Sequence, residues 1–357
     1  MNYQQRVEKK LQNLPDTLTI LAIESSCDET ACAILRGRDI LANVVLSSAK
    51  EQAKYGGVVP EIASRMHIDM IESAVQTAIQ SSKIDIQELD GVACTYGAGL
   101  VGSLLVGLSF AKAFAFVHNL PFIAVNHIRG HMAAGYLADK TLKPPFITLL
   151  ASGGHTAILH TKSFTEFDIL GSTRDDAVGE AFDKIARVLN LPYPGGIEIE
   201  NLAKTGQNTF KLPQIFKGNG FDFSFSGLKT AVVNYVHNAK QKGEAIHAAD
   251  IACSFQTVAC TTLAERAVEA VKVKNCRTLV AGGGVICNSY LRQILQEKFK
   301  LQGIQLILPE KKFCTDNAAM IAMEGAIQLQ HKNIAPLSTN ATAYIPLAKK
   351  GKIIENV

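Results

Sequence analysis

Two stretches of the chain share one pattern of apolar and polar positions. Residues 18–35 comprise an apolar run, a short polar turn and a second apolar run, and residues 146–160 repeat this order around a turn at residues 152–155. Apolar runs of this length on either side of a polar turn predict a β-hairpin in each stretch. Because the two hairpins open successive parts of the chain, they suggest that an α/β lobe is duplicated.

The segments that follow the hairpins alternate between strand-like and helix-like patterns. Residues 92–95 and 122–125 read as short strands, and between them lie a glycine-rich turn at 97–102 and an apolar helix at 103–118. The same order returns at residues 278–295, where an apolar strand runs through three glycines into a helix. These are β-α-β units, typical of α/β nucleotide-binding lobes. With 357 residues, 47% of them hydrophobic, the chain is long enough for two such lobes.

Charge and cysteine content exclude few classes of protein. The net charge of +4 is small, so a nucleic acid would have to bind a local basic patch. Eight cysteines without a C-x-x-C pair lie mostly in apolar runs, which favours buried free thiols over disulfides. The first eighteen residues mix acidic and basic side chains, and no apolar run reaches about 18 residues, so we expect a cytoplasmic chain without a membrane span.

An H-x-x-x-H pair, His127 and His131, follows the strand at residues 122–125 directly. On a helix, residues four apart lie on one face with Cβ atoms about 5 to 6 Å apart, so both imidazoles can bind one metal ion. The same spacing also fits two histidines that only make hydrogen bonds at the start of a helix. Ile128 and Arg129 leave no glutamate inside the motif, which argues against a zinc protease.

A third metal ligand can come from the segment before another apolar helix, at residues 318–327. Asp316 lies two residues before that helix and can supply a carboxylate oxygen. Asp316 or Thr315 can equally serve as the N-cap of the helix. The sequence leaves both interpretations open.

Two glycine-containing turns suit phosphate groups. Residues 152–154 and 282–284 allow backbone N–H groups to approach an anion, in the second case where a strand meets a helix N-terminus. The chain contains no P-loop motif. Residues 97–102 match G-x-G-x-x-G, but the acidic residue expected on a following strand is missing, which argues against a dinucleotide site.

Acidic residues cluster after the second hairpin. Asp176, Glu180 and Asp183 are spaced to share one helical face, next to Asp175. Such a face is either solvated or grips ribose hydroxyl groups.

Ten collinear segments carry a resemblance to one known family. Together they resemble the bacterial tRNA threonylcarbamoyltransferase family, formerly known as O-sialoglycoprotein endopeptidases. The segments are residues 23–30, 55–67, 99–107, 126–131, 152–156, 175–184, 193–196, 223–232, 281–288 and 315–322.

The resemblance implies an α/β fold of the actin/sugar-kinase/heat-shock-ATPase type (ASKHA), with two duplicated ribonuclease-H-like lobes. We expect an N-terminal extension at residues 1–17, a first lobe at 18–135 and a second lobe with ligand-binding loops at 136–317. Residues 318–357 are then a C-terminal helix and tail that return to the first lobe.

The resemblance also implies a reaction, in which an L-threonylcarbamoyl group moves from threonylcarbamoyl-AMP to N6 of the adenosine beside the anticodon. The tRNAs concerned read codons that begin with adenine. Asp28 and Glu29 match acidic residues implicated in activity, and one divalent metal ion per subunit, Fe²⁺ or Zn²⁺, is held by His127, His131 and Asp316. The implied substrate-binding residues are Leu150, Ala151, Ser152, Gly153, Gly154, Asp183, Gly196, Glu200 and Asn288. The implied partners are tRNA, a paralogous ASKHA-fold protein and a small ATPase.

Three positions depart from the family pattern. Ala98 and Ile197 stand where proline is usual, and Arg129 stands where an acidic residue is common, so we expect Arg129 to change the charge beside the metal.

Two other functions fit the hairpins. One is an ATPase or phosphotransferase of the same fold, which does not account for His127 and His131; the other is a non-catalytic scaffold of a tRNA-modification complex. Metalloprotease action ranks last, since the general base is missing.

Overall fold

The computed structural model describes residues 1–213 and 220–345. In these residues the chain forms ten strands, which fall into two five-stranded sheets. The strands are β1 Thr19–Glu24, β2 Glu29–Arg36, β3 Asp39–Ser47, β4 Gly91–Gly97, β5 Phe122–Asn126, β6 Phe146–Ala151, β7 Thr156–Thr161, β8 Phe167–Ser172, β9 Thr278–Gly282 and β10 Gln305–Ile307.

Eleven α-helices connect and cover these strands in the described part of the chain. They are α1 Tyr3–Gln12, α2 Ala49–Ala53, α3 Pro60–Ser82, α4 Val101–His118, α5 His127–Ala138, α6 Val178–Val188, α7 Gly195–Ala203, α8 Ser226–Lys242, α9 Ala248–Val273, α10 Ser289–Gln302 and α11 Ala318–Gln330. The predicted helices at 103–118 and 318–327 are therefore confirmed within a few residues.

The first sheet has the strand order β3-β2-β1-β4-β5. Strands β1, β2 and β3 pair antiparallel, whereas β4 and β5 run parallel to β1. The carboxyl ends of β1, β4 and β5 therefore meet at one edge of the sheet, where Glu24, Thr95 and Asn126 lie. This is the edge at which open α/β sheets place their functional residues.

The second sheet repeats this topology with the order β10-β9-β6-β7-β8. Strands β6, β7 and β8 form an antiparallel meander, and β9 and β10 run parallel to β6. Leu150 lies opposite Gly282, so the turn after β6 and the glycines after β9 share one edge. The two predicted hairpins and the duplicated α/β lobe are confirmed.

Helices cover both faces of the first sheet. Helices α3 and α4 pack on one another and on β2 and β4, and α11 packs against β1, β2 and β4. Because β1 is covered in this way, its six residues are all buried, as is typical of a strand inside an α/β sheet. Leu21, Val92, Leu108 and Phe122 belong to the resulting core.

The second sheet has its own core. Helix α9 packs against β6, β7 and β9, and it also contacts α7 and α10. Leu149, Leu279, Phe182 and Phe255 are buried there, and the rings of Phe182 and Phe255 meet edge to face with centroids 4.8 Å apart.

The chain divides into two compact units. The first contains Met1–Leu142 and the described residues from Asp316 onward, and the second contains Lys143–Thr315. Helix α1 belongs to the first unit: the Tyr3 hydroxyl donates a hydrogen bond to the carbonyl oxygen of Leu120. The domain boundaries expected from the sequence remain a prediction, and the tail beyond residue 345 lies outside the described residues.

Helix α4 is the one described helix long and apolar enough to cross a membrane by length and composition alone. Core helices of soluble proteins meet the same criterion. Six of its 18 residues are buried, and Val101, Leu105, Phe116 and Val117 are exposed.

Candidate functional site

His127 and His131 lie on the first turns of α5, at the carboxyl edge of the first sheet. The side chain of Asn126 accepts a hydrogen bond of 2.8 Å from the backbone N–H of Ile128, so Asn126 caps the helix and His127 is its first residue. His131 follows four residues later, so both imidazoles project from the same face.

Asp316 lies just before α11 and is not its cap. Asn317 occupies the N-cap position, and its side chain accepts a hydrogen bond of 3.1 Å from the N–H of Met320. The capping role that the sequence left open for Asp316 or Thr315 therefore belongs to Asn317. The carboxylate of Asp316 is free to face the two histidines.

The three side chains have the spacing of a metal site. Asp316 Oδ1 lies 3.4 Å from His127 Nε2 and 3.2 Å from His131 Nε2, and the three ligand atoms all lie within 4.8 Å of one another. Ligands about 2.0 Å from a tetrahedral ion are separated by about 3.3 Å. His131 is buried, its Nε2 faces Asp316 Oδ1, and its Nδ1 has no hydrogen-bond partner among the described residues. A buried imidazole is rarely left unpaired, so this residue set fits a metal ion.

A glycine allows the two helices that carry these ligands to pack closely. A Cβ atom at Gly130 would lie 2.6 Å from Ile321 Cδ1 and 3.4 Å from Met320 Cγ. A side chain at position 130 would therefore push α5 away from α11. The glycine between the two histidines thus helps to bring them to Asp316.

Arg129 forms an ion pair that joins α5 to α11. Its Nε lies 2.5 Å from Glu324 Oε1, and the two side chains are 12% and 4% exposed. The charges that shift the pKa of His127 are those of Asp316 and Glu24, and the charges that shift the pKa of His131 are those of Asp316, His127 and Glu24. The positive charge expected beside the metal is therefore paired with the carboxylate of Glu324.

Glu24 also belongs to this site. The sequence pattern places Glu24 only in the turn of the first hairpin. Its carboxylate is fully buried at the end of β1, and Oε2 lies 3.2 Å from His127 Nδ1. It accepts hydrogen bonds from the Thr95 hydroxyl (2.5 Å) and the Ser26 N–H (2.6 Å). An acidic residue at the end of an otherwise apolar buried strand was the signal in the sequence.

The buried charges of this cluster shift one another's pKa values. Burial alone would lower the pKa of His127, but the carboxylates of Asp316 and Glu24 outweigh it and hold that pKa well above the usual value. Burial would likewise raise the pKa values of Asp316 and Glu24, but the positive charge on His127 holds both below their usual range. Burial lowers the pKa of His131.

Asp28 lies in the turn between β1 and β2, and Glu29 is the first residue of β2. Burial, together with the hydrogen bond and the charge of Asp28, raises the pKa of Glu29 to about 10, and the charge of Asp316 contributes further. His67 on α3 contacts both sides of this turn. Its Nδ1 lies 2.6 Å from the Thr30 hydroxyl and its Nε2 lies 2.9 Å from the Cys27 carbonyl oxygen. The acidic pair and the proposed metal ligands therefore belong to one electrostatic environment within the first unit.

The second unit contains the predicted substrate-binding residues. Leu150 and Ala151 are buried at the end of β6. Ser152 closes the turn that follows, because its N–H donates to the carbonyl oxygen of His155 (2.8 Å). The carbonyl oxygens of Ser152 and Gly153 accept hydrogen bonds from the first N–H groups of α6, those of Gly179 (3.3 Å) and Glu180 (3.1 Å).

The other predicted substrate-binding residues lie at the starts of α7 and α10 or form hydrogen bonds with backbone N–H groups there. Asp183 accepts a hydrogen bond of 2.9 Å from the N–H of Gly195, next to Gly196. Glu200 accepts one of 3.1 Å from the N–H of Ser289, next to Asn288.

Asn288 lies between two further partners. It caps α10 through the N–H of Leu291 (3.0 Å), and its amide donates to Gln256 (2.8 Å). The structure thus brings Glu200 and Asn288 together, as it does Asp183 and Gly196.

The acidic cluster after β8 has structural roles. Asp175 accepts hydrogen bonds from the N–H groups of Phe225 and Ser226 at the start of α8. Asp176 pairs with Lys184 (2.9 Å) and Lys229 (3.1 Å). The prediction that Asp176 shares a helical face is wrong, because α6 begins only at Val178.

Solved structures confirm the ASKHA fold. The chain is similar to full-length HypF in its phosphate- and nucleotide-bound form, with a TM-score of 0.60 and 16% identity over 88% of this chain and 46% of that one. HypF from T. kodakarensis matches with a TM-score of 0.63 and 14% identity over 89% and 48% of the two chains. At this identity the likeness concerns the fold alone.

Sequence comparison identifies the family. The family model described as "TsaD: tRNA N6-adenosine threonylcarbamoyltransferase" matches residues 39–323. The tRNA N6-adenosine threonylcarbamoyltransferase of Caldicellulosiruptor saccharolyticus is 47% identical over 93% of this chain and 99% of its own. That of Clostridioides difficile is 47% identical over 92% and 98%. This chain therefore belongs to the tRNA N6-adenosine threonylcarbamoyltransferase family.

Proposed function

We propose that this chain transfers the L-threonylcarbamoyl group from threonylcarbamoyl-AMP to N6 of the adenosine beside the anticodon, in tRNAs that read codons beginning with adenine. The observation that carries the proposal is the group of His127, His131 and Asp316 at the carboxyl edge of the first sheet, in a chain of this family. A phosphotransferase of the same fold would not account for two buried histidines that face one carboxylate.

The reaction is an acyl transfer from a mixed anhydride. A bond forms between N6 and the carbamoyl carbon, the bond from that carbon to the phosphate oxygen breaks, and AMP leaves with the electron pair. Because an exocyclic adenine amine is a poor nucleophile, the protein must hold both reactants in line and accept the proton that N6 loses. Asp28 is suited to receive that proton, whereas Glu29, with its pKa raised to about 10, is already protonated at neutral pH and can donate a hydrogen bond to Asp28.

His127, His131 and Asp316 would hold one divalent ion, Fe²⁺ or Zn²⁺. When bound, the ion supplies a Lewis acid that polarises the donor. Two neutral imidazoles and one carboxylate suit either metal. The donor set therefore supports a divalent ion without selecting between the two.

In the second unit, the turn at Ser152, Gly153 and Gly154 would hold the AMP part of the donor together with Leu150 and Ala151. Backbone N–H groups of a glycine turn are good donors to phosphate oxygens. Asp183, Gly196, Glu200 and Asn288 would contact the rest of the nucleotide. Hydrogen bonds hold Asp183 at the start of α7, beside Gly196, and Glu200 at the start of α10, beside Asn288.

The experiment that tests this function measures the modified nucleoside. Purified chain, its partner proteins and threonylcarbamoyl-AMP are incubated with unmodified tRNA, and the digested nucleosides are analysed by mass spectrometry. The double variant His127→Ala/His131→Ala, checked for folding by circular dichroism, should form no modified adenosine. Equal modification by the wild type and the double variant would show that the proposed metal site is not needed for the transfer. No modification by either, with partners that are active alongside a known transferase, would favour the ATPase or scaffold function.

A glycine next to the nucleotide turn should be sensitive to substitution. A Cβ atom at Gly179 would lie 2.6 Å from the Ser152 carbonyl oxygen and 2.7 Å from Gly153 Cα, so Gly179→Ala must displace the turn. We expect at least about tenfold weaker binding of an AMP analogue, because displacement breaks the contacts of both turn residues. Gly227→Ala is the control, since a Cβ there meets no described atom within 4 Å. Equal binding by the two variants in calorimetry would contradict the placement of the nucleotide.

We further propose that an exposed apolar stripe on α4 binds the paralogous ASKHA-fold partner. Val101, Leu105 and Phe116 lie on one side of the helix and are 43%, 43% and 57% exposed. Leu105→Glu should abolish co-elution with the paralogue while leaving the thermal unfolding midpoint unchanged. Co-elution that persists would place the interface elsewhere.

The tRNA follows from the reaction, and the small ATPase follows from the family resemblance. The tRNA is the acceptor substrate, and a small ATPase is the third protein we expect in the complex. A tRNA substrate and eight free cysteines fit a cytoplasmic enzyme.

A further inference from the structure

Glu24 lies directly behind one of the two histidines of the proposed metal site. Its carboxylate is 0% exposed, and its Oε2 lies 3.2 Å from Nδ1 of His127. The other nitrogen of that ring, Nε2, faces Asp316 Oδ1 at 3.4 Å. The imidazole thus lies between a buried carboxylate on one side and the proposed ligand position on the other.

The position of this carboxylate is itself fixed. Oε1 accepts the N–H of Ser26 at 2.6 Å, and Oε2 accepts the hydroxyl of Thr95 on the neighbouring strand β4 at 2.5 Å. The Ser26 hydroxyl also lies 3.2 Å from His127 Nδ1. One oxygen is therefore oriented by the turn after β1 and the other by β4, and the carboxylate cannot rotate away from the histidine without breaking these contacts.

The two histidines differ in the hydrogen bonding of their Nδ1 atoms. No described residue forms a hydrogen bond with Nδ1 of His131, and its ring meets the His127 ring edge to face with centroids 4.6 Å apart. A carboxylate can only accept a hydrogen bond, so the hydrogen in the contact with Glu24 must be on Nδ1 of His127. In the neutral form of the imidazole, which is the form that binds a metal, the lone pair then lies on Nε2.

We propose that Glu24 is a positioning residue that fixes His127 as an Nε2 ligand of the metal, with Thr95 orienting Glu24 in turn. A hydrogen bond to the far nitrogen of a ligating histidine fixes its tautomer and ring orientation and makes it a stronger donor. With Asp316, Glu24 also gives the site two negative charges against a divalent ion. This inference rests on the proposed metal site and extends it to residues outside the ligand set.

Metal affinity tests the proposal without the transfer reaction. The full-length chain is stripped with a chelator and titrated with Zn²⁺ by calorimetry, in competition with a chelator of known affinity. Glu24→Gln keeps the size of the side chain but removes its charge, and we expect its Zn²⁺ affinity to fall about 10- to 100-fold. Thr95→Val removes only the hydroxyl group and should cause a smaller loss in the same direction. It also serves as the test if Glu24→Gln does not fold.

Ser25→Ala is the matched control, because Ser25 is buried beside Glu24 but its hydroxyl donates to the Ser103 carbonyl and does not touch His127. Two-bond ¹H–¹⁵N spectra of the zinc-loaded chain report the tautomer directly. The wild type should show His127 protonated on Nδ1, and Glu24→Gln should weaken or change that signature.

The outcomes separate this proposal from the one it rests on. A wild-type chain that binds no Zn²⁺ overturns both. Wild-type binding with equal affinity in Glu24→Gln and Thr95→Val overturns only the role of Glu24. An equal loss in Ser25→Ala would show that general disturbance of the turn, rather than the contact with His127, sets the affinity.

Discussion

Asp316→Asn should lower the affinity for Zn²⁺ or Fe²⁺ by more than about 100-fold. This loss is larger than the one expected from replacing Glu24, which contacts a proposed ligand but is not itself a ligand. The substitution keeps the shape of the side chain but removes the negative charge that lies 3.4 Å and 3.2 Å from the two histidine nitrogens. Formation of modified adenosine should fall in parallel. The measurements are Zn²⁺ titration of the stripped chain and mass spectrometry of tRNA nucleosides.

The neighbouring residue provides the control for this experiment. Asn317→Ala removes the N-cap of α11, which costs about 1 kcal/mol of helix stability, but leaves the carboxylate of Asp316 in place. Its metal affinity should stay within a few-fold of wild type. If Asn317→Ala lost as much affinity as Asp316→Asn, the start of α11 rather than the carboxylate would be responsible.

Arg129→Met should have the largest effect on stability. The substitution leaves the carboxylate of Glu324 buried without its ion-pair partner, which costs about 3 to 5 kcal/mol for buried pairs. The double variant Arg129→Met/Glu324→Met should recover most of this loss, because it removes both charges and keeps apolar volume between α5 and α11. Hydrogen exchange of the amides in α5 and α11 measures the local opening free energy of the first unit.

An exposed ion pair serves as the comparison. Arg36 and Glu88 lie 2.7 Å apart with side chains 40% and 49% exposed, and Arg36→Met should change stability by less than about 1 kcal/mol. A similar effect of Arg36→Met and Arg129→Met would mean that burial does not set the cost. A double variant at positions 129 and 324 as unstable as Arg129→Met would mean that packing, not the unpaired charge, is responsible.

The sequence predicted the fold better than it predicted the site. Hairpins at 18–35 and 146–160 are local patterns, and their apolar runs are long enough to identify the strands. Strand β10, with three residues, carries too short a pattern to be recognised. The strand order became evident only with the pairing of β1 with β4 and β6 with β9, which joins residues far apart in sequence.

Within the site, motif spacing and family resemblance identified His127, His131 and Asp316, which the structure brings together. Glu24 was missed because its role depends on contacts with Thr95 and His127, and no local pattern encodes them. The pairing of Arg129 with Glu324 was missed for the same reason. Long-range polar contacts between buried groups follow from the fold, so they become visible only with it.

The first unit is made of two separate stretches of chain, and this affects how the protein matures on the ribosome. The two histidines leave the ribosome early, whereas Asp316 and helix α11, which covers β1, are synthesised only after the whole of Lys143–Thr315. The second unit, a single uninterrupted stretch, can fold while the first still lacks its last helix. A nascent chain arrested before residue 316 therefore has both imidazoles but lacks Asp316, so the proposed metal site would be complete only late in biosynthesis.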